Sequence, residues 1–242
     1  MTGPATGEPD RSSAAPIRTS GTRNAASEIL IVLALGFALR IIIAYILPGS
    51  GFKNDLEAFG FWAQKLAETG PANFYHRDFF IDYTPGYLYA LWAIGLIERA
   101  LPSLDLIKIP AMLADVGVAW LIWSMVRELG GGRRAALVGA ALYLFIPVTW
   151  FDSVVWGQVD SVGLVFVLLA IRSLWRDQPE LAVVFTVIAG VVKIQLGVIL
   201  VPITAAVLLR RYVWDGSGST GAWRGPRRLL TSLVAGLGTA AV

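Results

Sequence analysis

The sequence has no cysteine and one histidine, His76, in 242 residues. The first absence excludes disulfides and cysteine–metal sites, and the second excludes a multi-histidine metal centre. Charge is scarce too. Asp, Glu, Lys and Arg make up 15% of the chain, where a soluble domain carries about a quarter. The net charge of +3 is modest, and no basic stripe offers a surface to nucleic acid. What abounds is apolar: 56% of the residues are hydrophobic and the mean hydropathy is +0.64. They fall in long runs, which makes lipid rather than water the expected solvent. The expected class is all-α, a polytopic transmembrane helical bundle.

Residues 1–27 are rich in Gly, Pro, Ser, Thr and Ala without apolar periodicity, so a disordered tail is expected there. Residues 29–47 form a run of membrane length, interrupted only by Arg40. No small-residue cleavage site follows, so it reads as an anchor. Residues 48–82 are polar, with an amphipathic helix expected over 55–68. There Leu56, Phe59, Ala63 and Leu66 share one face, a pattern suited to the headgroup level. Residues 86–97 are apolar but short. Full helices are expected over 106–126, 135–151 and 159–175. Residues 181–209 are too long for one span and read as two short helices broken near Lys193 and Gln195. A polar loop covers 212–228. Residues 229–242 begin an apolar segment that the chain does not complete, so 28–242 reads as one transmembrane domain cut short at its C-terminal side.

Arg11, Arg18 and Arg23 place the N-terminus in the cytoplasm by the positive-inside rule. Residues 48–82 and 152–158 are then extracytoplasmic. Arg127, Arg133, Arg134, Arg172, Arg176, Arg210 and Arg211 are cytoplasmic. This count requires that the segment 86–99 not cross fully.

Ionisable groups at membrane depth are costly, so they mark candidate sites. Asp55, just beyond the first helix, is placed to act as a general base on an acceptor hydroxyl. The competing reading is a capping box of Asn54 with Glu57, and spacing alone favours the cap. Asp82 and Tyr83 precede Thr84-Pro85, which reads as a helix start; a turn with interfacial tyrosines is the alternative. Trp156, Gln158 and Asp160 open an apolar helix, where a cap with a belt aromatic is the alternative. Lys193, next to Gln195 inside an apolar run, must snorkel, pair with a carboxylate or bind an anion. Asp115 and Arg40 are further intramembrane charges, expected to pair within the bundle. No phosphate-binding loop or zinc motif is present, and no metal or other cofactor is expected.

The order of these motifs carries more than any one of them. An acid soon after helix one is followed by Asp82-Tyr83-Thr84-Pro85-Gly86-Tyr87. Trp156-Gly157-Gln158-Val159-Asp160 and Lys193-Ile194-Gln195 come next. This order resembles the GT-C superfamily of membrane glycosyltransferases. It looks closest to bacterial relatives of the enzyme that adds the second mannose to GPI anchors. The resemblance covers roughly residues 28–210. It implies a GT-C-like bundle that transfers a sugar, mannose by the resemblance, from a polyprenyl-phosphate carrier to a glycan, lipid or protein acceptor at the outer membrane face. Asp55 matches the first-loop acidic residue taken as the catalytic base. Asp82 and Tyr83 match the second loop motif, Gln158 and Asp160 match the element lining the site, and Lys193 matches a residue suited to a lipid-linked phosphate; Trp156 and Gln195, in the same motifs, are further substrate-binding candidates. The family usually has a second proline where Thr84 stands and is usually longer, which implies an N-terminal portion here.

The chemistry agrees with that expectation. A donor that already carries a phosphate leaving group needs one carboxylate to take a hydroxyl proton and one or two cations to meet the phosphate. Two other readings stand beside it. One is a transporter or lipid flippase subunit with a polar pathway through Asp115, Asp160 and Lys193. The other is an inactive fragment.

Overall fold

The computed structural model describes residues 20–47, 51–72, 74–214 and 224–241. These are helical almost throughout, with ten α-helices and no strand among the described residues. Three helical stretches are long and apolar enough to cross a membrane: Ala26–Ile46, Ile109–Glu128 and Ile194–Trp214. A fourth is a bent pair, Arg133–Phe145 with Pro147–Trp156, kinked by 47°. A bilayer environment follows from these apolar lengths.

Helix α1 (Ser20–Ile41) ends in a π-helical turn, Ile42–Ile46. It starts inside the stretch expected to be disordered, so residues 20–27 correct that boundary; residues 1–19 lie outside the described residues. Helix α2 (Lys53–Thr69) buries Phe59, Trp62, Ala63 and Leu66, the amphipathic face read from the sequence. That face is covered by α3 (Pro85–Ala100) rather than by lipid. The two helices touch so closely at Gly95 that a Cβ there would stand 2.0 Å from the carbonyl oxygen of Ala63. Both ends of α3 return to one end of the bundle. Its first turn meets Val191, and Glu98 near its last turn accepts the Leu106 N–H at 2.7 Å just before α4 begins. The short segment therefore lies across that end with α2.

The bundle proper consists of α1, α4 (Ile109–Glu128), α5 (Arg133–Phe145), α7 (Asp160–Trp175), α8 (Pro179–Val192), α9 (Ile194–Leu209) and α10 (Arg224–Ala240). The apolar run 135–151 is not one helix. Ile146 is extended (φ −66°, ψ 132°) because Pro147 follows it, and a short α6 (Pro147–Trp150) leads into a six-residue π-helical turn, Phe151–Trp156. The run 181–209 does break in two, at Lys193, whose backbone is extended. Helices α8 and α9 form a tight antiparallel hairpin. Gly190 and Gly197 meet with no room for a Cβ, which would lie 2.7 Å from Gly190 Cα if built on Gly197. Farther from the break, the Thr186 and Thr204 hydroxyls bond at 2.9 Å.

Two sets of charges organise the bundle. In the interior, Arg40 is wholly buried and its Nε donates to Asp115 Oδ2 at 2.7 Å, while Asp115 Oδ1 accepts from the Tyr143 hydroxyl at 2.9 Å. The two intramembrane charges thus neutralise each other. At the end remote from α2 and α3, basic side chains pair with acids from neighbouring helices. Arg133 meets Glu28, Arg172 and Arg176 meet Glu128, and Arg211 and Arg228 meet Asp177. Arg133, Arg172, Arg176 and Arg211 thus lie at one end of the bundle.

Candidate functional site

Four helix N-termini converge at the other end, those of α2, α3, α7 and α9. Each brings a residue singled out from the sequence. Asp55 is the third residue of α2. The helix starts at Lys53, after Phe52, with no side-chain cap, so the expected Asn54–Glu57 capping box does not form. Asp55 is instead free to serve as an acceptor. Its Oδ2 takes the Trp156 indole N–H at 2.7 Å and the Gln158 Nε2 at 2.6 Å. Among the described residues no hydrogen bond falls on Oδ1.

Gly157 makes that double contact feasible. It sits between the two donors in the left-handed region (φ +84°), open to glycine and strained for most residues. A Cβ there would also lie 2.4 Å from Leu56 Cδ2. The preceding π-helical turn closes through Asp152, whose carbonyl accepts the N–H groups of Gly157 and Gln158.

Gln158 is the hub. Its Nε2 faces Asp55, and its Oε1 accepts from the Tyr83 hydroxyl at 3.0 Å and from Lys193 Nζ at 3.4 Å. This is the only amide orientation that avoids turning an NH2 toward an ammonium group. Lys193 also pairs with Asp160. Tyr83 is held from the far side, since the Tyr75 hydroxyl donates to its carbonyl at 2.8 Å, and its ring stands edge-on to Phe59 at 5.1 Å. Burial, then the charges of Asp160, Asp55 and Asp82, push the Tyr83 phenol above its ordinary pKa, so it stays a hydrogen-bond donor at any physiological pH.

A cavity of about 220 Å³ opens among these groups, lined by Asp55, Asp82, Tyr83, Thr84, Gln158, Lys193, Ile194 and Gln195. Six of the eight residues singled out from the sequence line it. Trp156 does not; it supports Asp55 from behind. Asp160 does not either, and reaches the cavity only through Lys193. Thr84 is the residue that sequence reasoning missed. It precedes α3 as the Thr-Pro pair suggested, but its hydroxyl makes no capping bond and is buried without a hydrogen-bond partner among the described residues. Proline at the next position was the only signal, and it pointed to the helix rather than to the hydroxyl.

The cavity therefore has one acidic wall, at Asp55 and Asp82, and one cationic wall. The second combines Lys193 with the N-terminal turn of α9, beside Thr84 at the start of α3. Such a wall suits an anionic oxygen cluster, and the acidic wall suits a hydroxyl that must lose a proton. Among the described residues no group of three His, Asp or Glu side chains is arranged to hold a metal ion. No protein-family model matches the chain, and neither does any curated protein or solved structure.

Proposed function

We propose that the protein is a polyprenyl-phosphate-sugar-dependent glycosyltransferase of the GT-C type, a hexosyltransferase that transfers mannose from the carrier to an acceptor. It lies in the cell membrane as a multi-pass protein, with its N-terminus in the cytoplasm and its site on the extracytoplasmic face. The observation that carries this reading is the bridge made by Gln158. One side chain links a carboxylate, Asp55, to a cation, Lys193, across a single cavity.

In the reaction, the acceptor hydroxyl oxygen attacks the anomeric carbon while its proton passes to Asp55. The bond from that carbon to the phosphate oxygen breaks, and its electron pair leaves on the carrier phosphate. Lys193 and the α9 N-terminus stabilise that phosphate. Tyr83 and Gln158 keep the two walls in register. Asp82 and Gln195 contact the sugar or its acceptor at the rim. Lys193 pairs with Asp160 and Gln158 and keeps a third N–H for the phosphate.

A polar transport pathway through Asp115, Asp160 and Lys193 has less support. Asp115 is closed off by Arg40 and Tyr143 and does not line the cavity. The deciding experiment incubates membranes containing the protein with radiolabelled polyprenyl-phosphate hexoses and identifies the product. Transfer that disappears in Asp55→Ala is the expected result. No transfer from any such donor, with the protein folded, sinks the proposal.

A further inference from the structure

A second polar cavity, of about 300 Å³, lies between the start of α2 and the chain entering α4. It shares no lining residue with the first. Its walls are Lys53, Leu56 and Glu57 of α2, with Asp105, Ile107 and Lys108 just before α4. Ile107 and Lys108 are buried, so an ammonium group stands in the floor, whereas Lys53, Glu57 and Asp105 are exposed and form the rim. Gly51 lies against that ammonium, because a Cβ built on it would stand 3.5 Å from Lys108 Nζ. Among the described residues no hydrogen bond or ion pair ties Lys53 to Glu57, one helical turn apart.

Two cations and two carboxylates facing one cavity select by charge pattern. A simple anion meets Lys108 and Lys53 but is repelled by Glu57 and Asp105, and a simple cation meets the reverse. A ligand that satisfies all of them carries both charges a few atoms apart. The cavity also stands at the membrane boundary. The Tyr45 hydroxyl, at the end of the first apolar span, donates to the Asp105 carbonyl at 2.9 Å. Tyr45, Ile46 and Leu47 are exposed beside it, and a tyrosine at the end of a span suits the headgroup level. We infer that the cavity seats the phosphoethanolamine headgroup of a zwitterionic phospholipid. The phosphate meets Lys108 and Lys53, the ammonium meets Glu57 and Asp105, and the acyl chains run beside Ile46 and Leu47 into the bilayer. This site is separate from the proposed reaction and does not rest on it. The two sites share a wall, since Leu56 lines the second cavity and packs on Gly157, where a Cβ would stand 2.4 Å from Leu56 Cδ2. A seated headgroup therefore holds the turn of α2 that carries Asp55.

The test uses the full chain in detergent micelles and native mass spectrometry. The probes are phosphatidylethanolamine, phosphatidylcholine and phosphatidylglycerol with identical acyl chains. Phosphatidylethanolamine should be retained about tenfold more tightly than either of the others. The quaternary ammonium of phosphatidylcholine donates no hydrogen bond to Glu57 or Asp105, and phosphatidylglycerol carries no cation. Glu57→Gln should cut that preference, and Lys53→Gln should weaken retention of all three lipids. Asp105→Asn replaces Glu57→Gln should that variant not fold, and thermal unfolding checks each. Equal retention of the three lipids overturns the inference. So does an undiminished preference in the folded acid-to-amide variants. Glycerophosphoethanolamine, the headgroup without chains, should displace the lipid far less well than the lipid displaces itself. Equal displacement would mark a soluble zwitterion as the ligand and overturn the membrane placement. Sugar transfer enters none of these readouts, so failure here and failure of the proposed reaction are distinguishable.

Discussion

The Trp156 indole N–H donates to Asp55 Oδ2 at 2.7 Å, joining residues 101 positions apart. The contact fixes one oxygen of the carboxylate and leaves the other without a hydrogen bond among the described residues. Trp156→Phe keeps an aromatic ring against Phe52 and removes the donor. A hydrogen bond to a charged group contributes about 1.5–3 kcal/mol, so kcat should fall about ten- to a hundredfold if orientation of Asp55 limits the reaction. Asp55→Ala should lower kcat by about 10²–10⁴ while α2 still packs through Phe59, Trp62 and Leu66. Steady-state turnover with a hexosyl polyprenyl phosphate distinguishes the two variants. Full activity in Asp55→Ala removes the base assignment.

The Arg40–Asp115 pair is structural by position, being wholly buried and outside the cavity lining. Breaking it from one side leaves a charge without its partner inside the bundle, at a cost of about 3–5 kcal/mol. Arg40→Met and Asp115→Leu should each lower the thermal midpoint sharply in detergent. The double variant should recover most of the loss, because two apolar side chains need no partner. A double variant as unstable as the sum of the singles would show that the two residues do not act as a pair.

Asp177 sits in the left-handed region (φ +57°) between α7 and α8, where Arg211 and Arg228 converge on it. The Tyr212 hydroxyl bond, and after it the Arg228 guanidinium, hold its carboxyl below the ordinary value. A depressed pKa in the folded state stabilises the fold above the unfolded carboxylate pKa, about 3.9, and that contribution fades as pH falls through the lower folded value. Asp177→Asn tolerates the same backbone and removes the charge. It should cost no more than about 1 kcal/mol, since the pair is half-exposed. The gap in thermal midpoint between the two proteins should be widest near neutral pH and close below about pH 4. A gap that does not change with pH would exclude the ion pairs as its source.

Because the chain has no cysteine, introduced thiols report topology without background. Asn54→Cys and Gln195→Cys should react with a membrane-impermeant maleimide from the extracytoplasmic side. Arg134→Cys should react only after the membrane is opened. Labelling of positions 54 and 195 from opposite sides would separate the two walls of the site and end the proposed reaction.

Much of the helical plan was legible in the sequence. The apolar lengths located α1, α4, α7 and the α8–α9 pair, and the polar interruption at Lys193 located their break. Pro85 marked the start of α3 because proline suits a first helical turn. Legibility ended where a feature depended on a non-local partner. The kink at Pro147 was hidden by unbroken apolarity, although the extended bias of a pre-proline residue was there to be read. Asn54 looked like a cap because it precedes Glu57 at the right interval, yet the helix begins two residues earlier than that cap implies, with Phe52 at the cap position. Nothing local showed that the Thr84 hydroxyl would lack a partner or that Trp156 would support Asp55 rather than line the cavity.

Composition and run length by themselves determined an apolar, all-helical protein suited to lipid, because helices satisfy their own backbone and need only a sufficient apolar span. Which charges meet was decided by the tertiary structure alone. Asp115 has Arg40 as its partner and Lys193 has Asp160 because those helices pack side by side, and no periodicity along one helix encodes the rotation of its neighbour. The same packing made a cavity of four helix starts that stand far apart in the chain.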